Sequence, residues 1–100
     1  MLILHQNTEK KLKNYANNFD GNYDKMFDNI LGIRITQLQK SIKNLNTDFM
    51  FFENKYDMKT SEFYKLFEDG KLGDENNDFY QWSGEYEMFL KYQKELNFLL

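Results

Sequence analysis

The residues able to do acid, base or metal chemistry are few in this chain and poorly grouped. His5 is the only histidine and no cysteine occurs, so a thiolate zinc site, a cysteine nucleophile and a disulfide framework are excluded together. A lone imidazole near the start of the chain has no second His or Cys to pair with, and it reads as a surface residue. The densest carboxylates are Asp69, Asp74, Glu75 and Asp78. Such a group can hold a divalent cation or supply the acid and base of a metal-dependent enzyme. Its spacing does not match a twelve-residue calcium loop, and helix capping and solubility explain it more simply. Gly21, Gly32, Gly70, Gly73 and Gly84 stand singly, which leaves no glycine loop to cradle phosphate. The expectation is a protein that is not an enzyme and needs no cofactor or metal.

Charge narrows the choice of partner. The net charge is −3. Residues 1–55 carry eight Lys/Arg against six Asp/Glu, whereas residues 56–100 carry five against ten. An acidic second half disfavours phosphate and would suit a basic protein surface, such as that of a nuclease, although a solvated acidic face gives the same pattern. Lys10, Lys11 and Lys13 form the only dense basic cluster, with Tyr15 nearby as a possible stacking ring. Three lysines on one short helix are a weak footprint for nucleic acid, which is not expected as the partner except weakly through them. No apolar run approaches the roughly 20 residues that span a bilayer, and Met1–Leu4 is too short for a signal-peptide core. Cytoplasmic residence without membrane contact is the default expectation.

The elements that must position any site are helices. One hundred residues without proline, 41% of them hydrophobic and 18% aromatic, suit one all-α domain with ring-rich contacts between narrow elements. Leu12, Tyr15, Ala16 and Phe19 mark one helical stripe, predicting a short helix over 8–18 that Gly21 ends. Leu31, Ile35, Leu38, Ile42, Leu45, Phe49, Phe52 and Tyr56 alternate spacings of four and three, a heptad seam. With Asn22 as cap, this predicts a helix over 22–55, about 50 Å long. A short helix over 61–69 follows, with Thr60 as N-cap and Gly70 as its stop. Phe79, Trp82, Tyr86, Phe89, Gln93, Leu96 and Leu100 repeat the alternation and predict a last helix over 75–99, capped by Asp74 or Asn77.

The two long helices are expected to form an antiparallel, coiled-coil-like hairpin, with the short helices completing a small bundle. Across the seam, Leu38, Ile42, Leu45, Phe49 and Phe52 are to meet Trp82, Tyr86, Phe89 and Leu96, running from Phe52 at Trp82 to Leu38 at Leu96. Phe51, Tyr64, Tyr80, Tyr92 and Phe98 fall off the seams. They are the candidate partner-binding rings, either for a heterologous protein or for a second copy in a homodimer.

Residues 55–90 also carry a resemblance. Lys55-Tyr56-Asp57-Met58, Ser61-Glu62-Phe63, Phe67 through Asp74, Asp78-Phe79, Trp82 and Tyr86-Glu87-Met88 resemble small helical antitoxin-like proteins of prokaryotic toxin–antitoxin pairs. Gly84 and Glu85 depart from the more apolar stretch of that pattern, and residues 1–30 do not match it. The resemblance implies an antitoxin that binds and neutralises a toxin, for example a nuclease. A phage or mobile-element inhibitor of a host defence nuclease, anti-CRISPR-like in role, fits the same composition.

Overall fold

The computed structural model describes residues 3–73 and 76–100. Among the described residues there are four α-helices and one 3-10 turn: α1 (Gln6–Ala16), the 3-10 turn (Asn17–Phe19), α2 (Tyr23–Tyr56), α3 (Thr60–Glu68) and α4 (Asn77–Leu99). No strand occurs among the described residues, so the all-α class holds. The chain forms two compact units, one ending at Arg34 and one spanning Ile35–Leu100.

In the first unit, α1 is followed by a sharp reversal. Asp20 (φ 55°) and Gly21 (φ 74°) are both left-handed, and the Gly21 N–H donates to the Ala16 carbonyl at 2.9 Å. The Asn22 side chain accepts from the Lys25 N–H at 3.1 Å, capping the start of α2. Ala16 and Met26 are fully buried, and the Tyr15 hydroxyl donates to Asn29 Oδ1 at 2.9 Å. His5 occupies the N-cap position of α1 without a side-chain cap bond. Lys10, Lys11 and Lys13 are exposed along α1.

The second unit is a hairpin of α2 and α4 with α3 docked at its closed end. Advancing along α2 means retreating along α4: Phe49 meets Phe89 and Tyr86 (centroids 5.6 and 6.1 Å), Phe52 stacks on Trp82 (5.4 Å), and Tyr56 meets Phe79 (5.1 Å). That order is antiparallel. α3 inserts Phe63 face to face on Trp82, with centroids 3.8 Å apart and planes 4° from parallel. Neither Phe63 nor Trp82 retains any exposure. Burying a ring of this size contributes about 1.5–3 kcal/mol, so Phe63 is the main anchor of a helix only nine residues long.

The ends of these helices differ from the local reading of the sequence. α2 stops at Asp57, a non-glycine residue at φ 51°, with the Met58 N–H reaching the Glu53 carbonyl. Thr60 is the first residue of α3, not its cap; Lys59 holds the cap position and makes no side-chain cap bond. Thr60 instead donates its N–H and its hydroxyl to Glu53 Oε2, both at 2.8 Å. Gly70 (φ 71°) ends α3 as expected, with N–H bonds from Gly70 to Phe67 O and from Lys71 to Leu66 O, the paired closure of a Schellman motif. Asn76, rather than Asn77, caps α4 by accepting from the Asp78 N–H at 2.8 Å. Asp74 and Glu75 lie outside the described residues, as do Met1 and Leu2.

Candidate interaction surface

The surface is built outward from the aromatic layer. Leu38, Leu45, Phe49, Phe52, Trp82 and Leu96 are buried, while Tyr86 and Phe89 are partly buried and packed against the core. Ile42 keeps intermediate exposure, and Leu31 is exposed.

The five off-seam rings fall into two groups. Phe51, Tyr80 and Phe98 project into solvent, with 61%, 53% and 79% of their surface exposed. Tyr64 and Tyr92 are only half-exposed and pack against the core cluster. Tyr64 meets Tyr86 at 4.9 Å, and its hydroxyl donates to Glu87 Oε1 at 2.8 Å. That hydrogen bond, with burial and the nearby Glu68 carboxylate adding to it, pushes the phenol up to about 12. Tyr80 leans edge-on against Phe67, and Phe51 edge-on against Phe52. The Lys55 ammonium sits over both Phe51 and Tyr56, 5.9 and 5.4 Å from their ring centres.

Other apolar residues, Leu31 of the expected seam among them, are exposed as well. Leu90 and Phe98 border an open groove of about 450 Å³ with Gln93, Lys94 and Asn97 on the outer side of α4. Their spacing of eight, with Lys94 between, is itself a helical stripe. Met50, 63% exposed, borders a second groove of about 320 Å³ with Phe49, Glu53, Lys59, Tyr86 and Phe89. In the first unit Tyr23, Phe27, Ile30 and Leu31 are exposed together along α2.

Polar groups near the layer are committed to structural work. Asp78 Oδ2 accepts from Lys55 Nζ and from the Tyr56 hydroxyl, both at 2.6 Å, and Asn76 Nδ2 donates to the Tyr56 oxygen. The Lys55 bond first, then the Tyr56 bond, holds the Asp78 carboxyl below its usual range, and the same contact raises Lys55. Asp69 is the C-cap of α3. Among the described residues no three of His, Cys, Asp and Glu gather where a metal ion could sit, and no helix is long and apolar enough to cross a membrane. What the arrangement offers chemically is contact: rings and thioethers projecting from rigid helices beside hydrogen-bonding side chains. Compared with protein-family models, curated proteins and solved structures, the chain matches none.

Proposed function

We propose that this chain is an antitoxin-like protein that binds and neutralises a protein partner, a toxin of nuclease type, through the aromatic surfaces of its helices. The observation carrying the proposal is the outward projection of Phe51, Tyr80 and Phe98 from a hairpin whose core is already filled by other rings. Aromatic side chains on rigid helices lose little conformational entropy when a partner covers them, which is why rings dominate binding energy at interfaces. The excess of acidic over basic residues after residue 55 complements a basic, nucleic-acid-binding face and would speed encounter with it. Tyr64 and Tyr92 enter this reading as supports of the surface, and their packed rings are poor targets for disruption.

The test is co-expression with the product of the adjacent gene. A stable complex and relief of growth arrest are expected, and Phe51→Glu combined with Phe98→Glu should abolish both while leaving helicity intact. No complex and no relief with the unaltered chain would sink the proposal. Light scattering on the chain alone at micromolar concentration separates a partner surface from a self-association surface. If the chain is a dimer that the double variant dissociates, the exposed rings serve a second copy.

A further inference from the structure

The α2/α4 seam contains one polar contact that its packing does not explain. Asp48 directly precedes Phe49 on α2, and Glu85 directly precedes Tyr86 on α4. Phe49 and Tyr86 meet edge to face at 6.1 Å, so both carboxyl groups arise from the same layer of the hairpin, and both residues are half-buried. Gln81 Nε2, one turn back on α4, donates to Glu85 Oε1 at 3.2 Å. Glu85 Oε2, by contrast, is sealed from solvent and has no hydrogen-bond partner.

An ionised carboxylate is an acceptor only, so a sealed oxygen without a donor bears its full loss of hydration. A protonated carboxyl changes that balance, because the same oxygen becomes a donor and an adjacent carboxylate becomes the acceptor it needs. Asp48 supplies that carboxylate from α2. Burial acts most strongly and pushes the Glu85 carboxyl up; the Gln81 hydrogen bond comes next and pulls it down, and Asp48, through a hydrogen bond and then through like charge, adds to the upward push, which prevails. The groups that act on Glu85 among the described residues are thus one anion from the opposite helix and one neutral amide from its own. No cation is among them to hold both carboxylates ionised.

We propose that Asp48 and Glu85 form a proton-sharing carboxyl pair that clamps α4 to α2 and loosens as that proton leaves, a pH-sensitive device built into the seam. The proton lies between a Glu85 hydroxyl and an Asp48 oxygen; on deprotonation it goes to solvent and two like charges face each other across the layer. An acid raised in the folded state stabilises most below its unfolded value, here 4.5. That contribution is lost as pH rises through the folded value. The hairpin is therefore held tightest in mild acid and is weakened at this layer above it.

The experiment compares thermal unfolding of the full chain with Glu85→Gln and Asp48→Asn between about pH 4 and about pH 8. All other titrating groups are common to the three proteins and cancel in the differences. Glu85→Gln mimics the protonated side chain. Its melting temperature should match the unaltered chain within about 1 °C at the acid end and exceed it by about 4 °C or more at the alkaline end, with Asp48→Asn showing the same trend. A difference that stays constant with pH, or a Glu85→Gln variant less stable at the alkaline end, would overturn the proposal. Carbon-detected NMR titration of the Glu85 carboxyl in the unaltered chain tests the pair independently: a midpoint above 4.5 that falls on Asp48→Asn supports it, and one at or below 4.5 removes it.

Discussion

Replacing Thr60 by valine isolates the polar link that ties the closed end of the hairpin together. Valine has nearly the same shape, so no cavity opens and the backbone N–H bond to Glu53 Oε2 survives. Two bonds disappear: Trp82 Nε1 to Thr60 Oγ1 at 3.1 Å and Thr60 Oγ1 to Glu53 Oε2 at 2.8 Å. Trp82 has no exposure, so water cannot replace its lost acceptor, and an orphaned buried donor costs about 1–3 kcal/mol. Glu53 is half-exposed and regains solvent, so its loss adds only about 0.5–1 kcal/mol. The expected destabilisation is about 1.5–4 kcal/mol in urea unfolding followed by the emission of Trp82, the sole tryptophan. Thr60→Ser, which keeps the hydroxyl, should cost less than about 1 kcal/mol beyond its missing methyl. In a Trp82→Phe background, followed by circular dichroism, Thr60→Val should cost much less than in the native chain, because both partners of the bond are then apolar. A loss under about 0.5 kcal/mol for Thr60→Val in the native chain would refute the view that this link bears on stability.

Phe63→Ala should cost about 3–5 kcal/mol and shift Trp82 emission to longer wavelength, since it strips the ring stacked on the indole and the anchor of α3; unchanged emission would contradict the 3.8 Å stack. Asp57→Gly should raise stability by about 0.5 kcal/mol in the same urea assay by relieving a left-handed backbone at φ 51°. Asp78→Asn should lower the melting temperature at neutral pH. Because its folded carboxyl is held below the ordinary value of 3.8, the stability it contributes is present above that value and lost as pH falls through the folded one, so variant and parent should converge in strong acid.

Much of the fold is legible because it is written in periods. The three-four alternation locates α2 over 22–55, against the observed Tyr23–Tyr56, and points to the all-α hairpin. Gly70 marks the end of α3 through its freedom at positive φ. The details that differ depend on a third body. Thr60 carries the signature of a cap, yet its hydroxyl is taken by Glu53 and Trp82, which become neighbours only once α3 folds back onto the hairpin. A two-helix seam has no place for Tyr64 and Tyr92, so spacing alone puts them on an outer surface, whereas both are half-buried against the core cluster. Ile42 lies on the seam by spacing but keeps intermediate exposure, and no spacing marks the Glu85 carboxyl, because its significance lies in the Asp48 opposite. Periodicity identifies a face, and what covers that face is a tertiary fact.

The placement of the aromatic layer also bears on the order in which the hairpin assembles. Its tightest contacts lie toward the connection, where Tyr56 meets Phe79, Phe52 and Trp82 are separated by residues 53–81, and Phe63 lies between them in sequence. Phe49 and Phe89 bracket a longer span, and the buried Leu38 and Leu96 stand farther still from the connection. Closing the first of these spans requires the chain to give up loop entropy once, and α3 shortens the search by folding within it. Each later layer then adds to a nucleus already fixed, so the hairpin can zip toward its open end without a further long closure. In reverse, fraying begins at the last turns of α4, around the exposed Phe98, and reaches the Trp82 layer last.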